Sequence, residues 1–401
     1  MNEFIYLINN EKNSKKHRKV RIRKNKERKN FILIQFILFR KLLIIFILIV
    51  LFSIIISINK KVKEKEKEKE KEKEKEKEKE KEKEEYKKNI IHLSLNIDDK
   101  YIYPCIAYLT SLLDNRANST FYMIHVLTNN RLSNEFIKKI NKIIERFGNQ
   151  SVKVTYYNLE GHFKNVTTGY ISVATYYKIA LPSLLPNLDT IIYTDGDMIN
   201  LEDLSEMYNI EFKENMYFCG ITDYIDHLNQ LKEFGLSSDK YINIGVLLMN
   251  LKAMRENSIE KKLTEFASTH PLKFYDQTAI NCVCFNNTQV LPYKYNVFAF
   301  PSFKDLIKLN NQQDIKYRVK ESELNEVFNK PTFFHYASMD KPWLKRTTKF
   351  NRVYWWYYAK MSGFYQEILD YYQFDKSDIE ALLRQIPEDG GLLKRNYKNL
   401  N

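Results

Sequence analysis

A run of 17 uncharged residues, 42–58, constrains this chain most, because few environments accept so long an apolar segment. At 1.5 Å per residue, a helix of this length is about long enough to cross a bilayer core, which takes ~20 residues. A cleaved signal peptide has a shorter apolar core that ends in small residues, and no Ala-x-Ala follows Ile58. We predict a transmembrane signal-anchor over residues 42–59.

The net charge of +14 is concentrated before that segment. Residues 1–61 hold 15 Lys and Arg against 3 Asp and Glu, whereas residues 85–401 hold 38 and 36. The positive-inside rule therefore makes residues 1–41 a basic cytoplasmic tail and puts the rest in the lumen of the Golgi or endoplasmic reticulum, as in a type II membrane protein. A nearly neutral folded part lacks the basic surface that binds nucleic acid, so we predict no nucleic-acid partner.

Residues 63–84 repeat Lys-Glu 11 times and contain no apolar side chain. Such a segment can bury nothing and stays solvated. We predict a stem over residues 60–88 that holds a domain away from the membrane. The alternative is a low-complexity expansion without a selected role, which gives the same architecture.

From residue 89 the chain alternates strand-like and helix-like patterns, which predicts an α/β domain with a mainly parallel sheet. The strand-like runs are 90–95, 121–127, 152–157, 190–194, 217–222, 244–249 and 332–336, and the helical patterns are 101–113, 134–147 and 173–185. We predict a catalytic domain over residues 89–360 and a helical extension over 361–401. The chain has 10 Gly and neither a GxGxxG nor a GxxxxGK[ST] loop, which excludes those phosphate cradles.

The strongest local motif is Asp195-Gly196-Asp197, directly after the apolar run 191–193. Two carboxylates one residue apart can bind Mg²⁺ or Mn²⁺ together with substrate phosphates. The alternative is a polar turn, since Asp-Gly is a common turn dipeptide. Phosphatases of the haloacid dehalogenase type also use Asp-x-Asp, but near the start of their domain. Here the motif comes about 100 residues into the domain, so that alternative is less favoured.

Further segments in chain order resemble glycosyltransferase family 8 over about residues 90–360. They are NIDDKY (96–101), ISVATYYK (171–178), YINIGVLLMN (241–250), FYDQTAIN (274–281) and HYASMDKPW (335–343). The resemblance implies a retaining transferase with the GT-A nucleotide-sugar-binding fold, similar to lipopolysaccharide galactosyl- and glucosyltransferases.

The resemblance also implies roles for individual residues. A divalent cation, Mn²⁺ (or Mg²⁺), is expected to be bound by Asp195, Asp197 and His335. The neutral imidazole of His335 suits Mn²⁺ better than Mg²⁺. Lys341 is expected to bind the diphosphate as a point charge. Its alternative is a solvated surface lysine. Where the family often has a glycine between the His and the Lys, this chain has Ser338.

Further contacts with the donor are expected from residues on the other motifs. Asp98 is expected to bind the uracil edge, or to cap the following helix, or both. Lys178 stands where the family usually has Arg, and Asn243 is expected to face the donor sugar.

Two adjacent residues, Asp276 and Gln277, are also expected to face the donor sugar and carry the catalysis. Gln277 is a weak candidate nucleophile, and a same-face mechanism is the alternative. Asp223 lines the sugar or acceptor site, or is a loop acid.

The predicted function is transfer of galactose or glucose from a UDP-sugar to a glycan, glycolipid or glycoprotein acceptor. The alternatives are an inactive binding module and the membrane-tethered phosphatase. The aromatic run 354–358 is either an acceptor platform or core, and core is favoured. The four cysteines are buried thiols or disulfides, and the sequons at Asn118, Asn149, Asn165 and Asn286 fit a luminal domain.

Overall fold

The structure is a computed structural model that divides the chain into two units, Met1–Glu84 and Glu85–Asn401. It describes residues 35–63, 90–129, 132–147, 151–166, 172–223, 231–236, 241–298, 330–337, 339–347 and 351–386, with scattered positions in 21–30, 65–73 and 307–327. The predictions on most of the basic tail, most of the repeat, Asn149, Ser338 and the end of the C-terminal extension lie outside the described residues.

The first unit contains helix α1, Gln35–Lys63, which is long and apolar enough to cross a membrane. It begins before the predicted start at residue 42 and includes Arg40 and Lys41. The Arg40 guanidinium lies 5.7 Å from the centre of the Phe36 ring one turn earlier. Length and composition are shared by membrane spans and signal sequences, so anchoring is taken up below as a proposal.

The second unit is built on a seven-stranded sheet with the order β3-β2-β1-β4-β7-β6-β8. Its strands are β1 (Ile90–Asn96), β2 (Phe121–Thr128), β3 (Val152–Asn158), β4 (Thr190–Thr194), β6 (Phe218–Gly220), β7 (Val246–Asn250) and β8 (Thr288–Val290). β1 runs parallel to β2 and β4, and β2 to β3, while β7 is antiparallel to β4 and β6. The prediction of a mainly parallel α/β fold is confirmed.

A smaller sheet with the order β5-β10-β9 lies within the same unit. Its strands are β5 (Met198–Asn200), β9 (Val297–Phe298) and β10 (Phe333–His335). Only β10 falls in a predicted strand run, because segments of two or three residues are too short to show the alternation that identifies strands. This sheet pairs His335 with Met198, and so brings His335 beside the Asp195-Asp197 motif.

Helices connect and flank the strands. They are α2 (Ile102–Asp114), α3 (Asn134–Phe147), α4 (Leu181–Leu184), α5 (Ser205–Tyr208), α6 (Leu251–Glu256), α7 (Ile259–Thr269), α8 (Tyr275–Val283), α9 (Arg352–Met361), α10 (Tyr365–Tyr372) and α11 (Lys376–Leu383). The helix expected over 173–185 is instead a 3₁₀ helix, Val173–Ala180, followed by α4. Pro182 explains the break, because proline fits the first turn of a helix but not its interior.

The aromatic run 354–358 lies in α9 and packs in the core, as favoured from the sequence. Trp355, Trp356 and Tyr358 are at most 1% exposed. Ile368 on α10 and Ile379 on α11 belong to the same hydrophobic cluster. The four cysteines are free and buried.

Replacing Ile368 with alanine should destabilise the second unit, because this side chain is fully buried in the main cluster. A buried Ile→Ala change typically costs about 2–5 kcal/mol. Urea unfolding followed by tryptophan fluorescence measures the loss. Leu344→Ala is the control, since Leu344 is 43% exposed and should change the free energy of unfolding little. Equal effects of the two changes would contradict the packing of α10 on the core.

Candidate active site

Three side chains that could hold a metal ion converge beyond the end of β4. One ligand atom from each of Asp195, Asp197 and His335 lies within 4.8 Å of the others. His335 Nε2 is 3.8 Å from Asp195 Oδ2 and 3.5 Å from Asp197 Oδ1. Two carboxylates and an imidazole suit a divalent cation such as Mn²⁺. The structure thus brings together the three residues expected to form the metal site.

The absence of a side chain at Gly245 leaves room for His335 and Asp195. The Gly245 carbonyl accepts a hydrogen bond from the Asp195 backbone N–H at 2.8 Å. A Cβ at this position would overlap His335 Cε1 and lie 3.0 Å from Asp195 Oδ2. A Cβ at Gly196 would meet only ordinary contacts, the nearest at 3.6 Å. The glycine that the geometry requires is therefore Gly245, on the loop before β7, and not the glycine of the Asp-Gly-Asp motif.

Lys341 lies against Asp195, Asp197 and His335, which we call the metal-binding cluster after their expected role. Its ammonium contacts Asp197 Oδ2 and donates to the Tyr336 carbonyl at 2.9 Å. Burial alone would raise the pKa of Asp197, but Lys341 holds it below its ordinary value. Burial alone would lower the pKa of Lys341, and Asp197 raises it above its ordinary value instead. The pair therefore stays ionised, and Lys341 is not a solvated surface lysine.

Lys178 is 1% exposed, and its ammonium lies near two carboxylates. Its ammonium lies 2.9 Å from Asp276 Oδ2 and 3.8 Å from Asp195 Oδ1, and 4.2 Å from the centre of the Tyr193 ring. Burial raises the pKa of Asp276, and Lys178 offsets part of this effect. In this structure Lys178 acts as the counter-ion of two acids.

Gln277, Asn243 and Asp223 form one polar cluster. Gln277 Nε2 donates to Asp223 Oδ2 at 2.8 Å, and Asn243 Nδ2 donates to the same oxygen at 3.2 Å. Asn243 Nδ2 also lies 3.3 Å from Gln277 Oε1. Asp223 thus belongs to the site with the two amides, whereas its role as a sugar or acceptor contact stays a prediction.

Asp98 caps the 3₁₀ helix Asp99–Tyr101, accepting the Lys100 backbone N–H at 3.0 Å. The Tyr101 ring meets the Trp343 ring edge-on at 6.1 Å between centroids. Burial, with Asp197 as the next cause, raises the pKa of Tyr101 to about 12. The capping role of Asp98 is present, and its uracil contact stays a prediction.

Sequence reasoning missed several residues of the site. Tyr193 donates to Asp195 Oδ1 at 2.7 Å, and Asn296 Oδ1 lies 3.0 Å from His335 Nδ1. Tyr193 reads as an apolar strand residue in the sequence. Asn296 lies at the end of the 3₁₀ helix Tyr293–Asn296, in no recognised motif, and carries no local signal.

The fold and the site together define a glycosyltransferase of the GT-A type. The crystal structure of galactosyltransferase LgtC in complex with donor and acceptor sugar analogs matches with a TM-score of 0.57 and 19% identity, over 68% of this chain and 96% of that one. A model described as "Glycosyl transferase family 8" matches residues 92–347. The chain belongs to glycosyltransferase family 8, as its motifs predicted.

Two relatives illustrate the range of the family. General stress protein A of Bacillus subtilis (strain 168) is 23% identical over 270 residues, which are 65% of this chain and 90% of that protein. Lipopolysaccharide 1,2-glucosyltransferase of Escherichia coli is 24% identical over 270 residues, which are 64% of this chain and 74% of that protein. The family assignment decides against the phosphatase alternative.

Replacing Gly245 with alanine should disturb the metal ligands, because the new Cβ overlaps the His335 ring and crowds Asp195. We expect Mn²⁺ affinity to fall by about tenfold or more. Calorimetric titration of the full-length chain in detergent measures it. The matched control is Gly196→Ala, which has room for its Cβ. Equal Mn²⁺ affinity in the two variants would contradict the geometry of the site.

Proposed function

We propose that this chain transfers a hexose, galactose or glucose, from a UDP-sugar to a glycan, glycolipid or glycoprotein acceptor with retention of configuration. The observation that carries the proposal is the convergence of Asp195, Asp197 and His335 with Lys341. In an inactive relative no catalytic requirement would maintain these charged groups in one site. The naming of a family relative as a glucosyltransferase supports a hexose donor.

The three candidate metal ligands, two carboxylates and one imidazole, fit Mn²⁺ better than Mg²⁺. Mg²⁺ favours oxygen ligands, whereas imidazole suits the softer transition metals, and here an imidazole faces two carboxylates. When bound, the cation neutralises the charge that develops on the departing diphosphate.

Lys341 supplies the second positive charge to the departing diphosphate. The Lys341 side chain is 15% exposed, and its ammonium contacts the Tyr336 carbonyl and Asp197 of the metal-binding cluster. A charge in a site with little water acts more strongly on a developing anion than the same charge in water. Lys341 also limits the net charge of the two aspartates before the donor binds.

The residues around Gln277 hold the donor sugar. Gln277 and Asn243 present amide groups that Asp223 fixes in place, and hydroxyl-rich sugars need such fixed donors and acceptors. Gln277 Oε1 already faces the Asn243 amide and the Ile244 backbone N–H, at 3.3 and 3.4 Å. An oxygen engaged in this way is a poor nucleophile, which favours the same-face mechanism. Asp276 stays paired with Lys178 and orients the sugar through that pair.

The membrane context belongs to the same proposal. Helix α1 supports a single membrane anchor, and the excess of Lys and Arg before residue 42 supports a type II orientation. The catalytic unit then lies in the lumen of the Golgi or endoplasmic reticulum, with the Lys-Glu repeat as its stem.

The full-length chain in detergent should release UDP from one of a panel of UDP-sugars when Mn²⁺ is present. Asp197→Asn should lower the rate by about 10²-fold or more, because it removes a metal ligand and the partner of Lys341. A luminescent UDP assay measures the rate. Asp378→Asn, an exposed acid on α11, is the matched control and should leave it unchanged.

Two results would oppose the proposal. Equal rates for Asp197→Asn and the control would remove the role of the metal-binding cluster. No release from any donor, together with no metal-dependent UDP binding, would favour the inactive binding module.

In cells that N-glycosylate luminal proteins, the chain should carry glycans, because Asn118, Asn165 and Asn286 are exposed sequon residues. Peptide N-glycosidase F should increase its gel mobility, and a variant with Asn→Gln at all four sequons, Asn149 included, should show no shift. In a second assay, protease is added to the outside of sealed microsomes that contain the chain. Digestion of the second unit, together with the absence of glycans, would contradict the luminal orientation.

A further inference from the structure

A chain of buried amides lies behind the metal-binding cluster. His335 Nδ1 is 3.0 Å from Asn296 Oδ1, and Asn296 Nδ2 is 2.8 Å from Asn243 Oδ1. His335 is 3% exposed, Asn243 8% and Asn296 0%. The backbone fixes this arrangement, because Asn296 leads directly into β9, which pairs with β10 and places Phe298 opposite His335.

One backbone group sets the direction of every hydrogen bond in this chain. The Gly245 N–H, 2.9 Å from the Asn243 side chain, can only donate, so the atom that faces it is the Asn243 amide oxygen. The same oxygen faces Asn296, which must therefore present its NH₂ group. The Asn296 oxygen then faces His335 Nδ1. Since an amide oxygen only accepts, Nδ1 carries the proton of the neutral imidazole.

A proton on Nδ1 leaves the lone pair on Nε2. Nε2 is the ring atom that faces Asp195 and Asp197, at 3.8 and 3.5 Å. A histidine binds a metal through its unprotonated nitrogen, and the hydrogen bond of the other nitrogen selects the tautomer. In the opposite tautomer an N–H would point at the cation.

We infer that Asn296 is a positioning residue that holds His335 in the tautomer able to bind a divalent cation. The inference rests on the metal site proposed above. Asn296 also ties this ligand to the sugar end of the site, because its partner Asn243 donates to Asp223 and Gln277. Asn296 itself touches neither cation nor substrate and acts through His335.

Mn²⁺ binding to the full-length chain in detergent tests this role without any activity assay. Free Mn²⁺ is measured by its electron paramagnetic resonance signal during titration. Asn296→Ala should weaken binding about 10–100-fold, because it removes the acceptor of the Nδ1 proton. In a His335→Ala background, Asn296→Ala should cause no further loss.

The matched control is Asn200→Ala. Asn200 is also 0% exposed and donates to the Thr332 carbonyl at 3.3 Å, outside the chain of amides. Its loss should lower thermal stability and leave Mn²⁺ affinity within about threefold of wild type.

The outcomes separate this inference from the proposed function. If the wild type does not bind Mn²⁺, the proposed metal site itself fails. If the wild type binds and Asn296→Ala binds equally well, only the role of Asn296 is overturned.

A second measurement needs no variant at Asn296 and holds even if Asn296→Ala fails to fold. Long-range ¹H–¹⁵N spectra of the metal-free wild type, with His335→Gln to assign the signal, report which ring nitrogen carries the proton. At alkaline pH, where the imidazole is neutral, we expect the single ring proton on Nδ1. A single proton on Nε2 would overturn the inference.

Discussion

The structure depends on keeping several carboxylates charged in a site that is largely closed to water. Asp197 and Asp276 are 7% and 4% exposed, and burial opposes the ionisation of each. Lys341 more than offsets the effect of burial at Asp197, and Lys178 offsets part of it at Asp276. An unpaired buried charge costs several kcal/mol, so these pairs are a condition for the site to exist. Asp195 is more exposed. It accepts a hydrogen bond from the Tyr193 hydroxyl, and the Lys178 ammonium lies 3.8 Å from its Oδ1.

The sheet topology brings these groups together. β1 and β4 are parallel neighbours, so their carboxyl ends place Asp98 and Asp195 at the same edge. β7 then runs antiparallel to β4, which puts the loop that contains Asn243 and Gly245 at that edge too. The small sheet adds His335 through the pairing of β10 with β5. Asp195, Asp197 and His335 come from segments far apart in sequence, and strand pairing brings those segments together.

Much of this could be predicted from the sequence. The parallel sheet follows from long apolar runs separated by helical patterns, and the grouping of Asp195, Asp197 and His335 follows from motifs that resemble family 8. The rest depends on tertiary contacts. β5 and β9 are too short to show a pattern, and the helical pattern over 173–185 does not distinguish the 3₁₀ helix Val173–Ala180 from an α-helix. Asn296 and Gly245 matter only because strand pairing places them against His335. No pattern in the neighbouring sequence predicts such a contact.

The central claim is that Asp195, Asp197 and His335 bind one divalent cation. Electron spin-echo envelope modulation of Mn²⁺ bound to the full-length chain with UDP tests it most directly, because it detects a nitrogen ligand on the ion. The account predicts ¹⁴N modulation from one histidine, which disappears in His335→Gln. Bound Mn²⁺ without ¹⁴N modulation in the wild type, or with modulation that survives in His335→Gln, would contradict it.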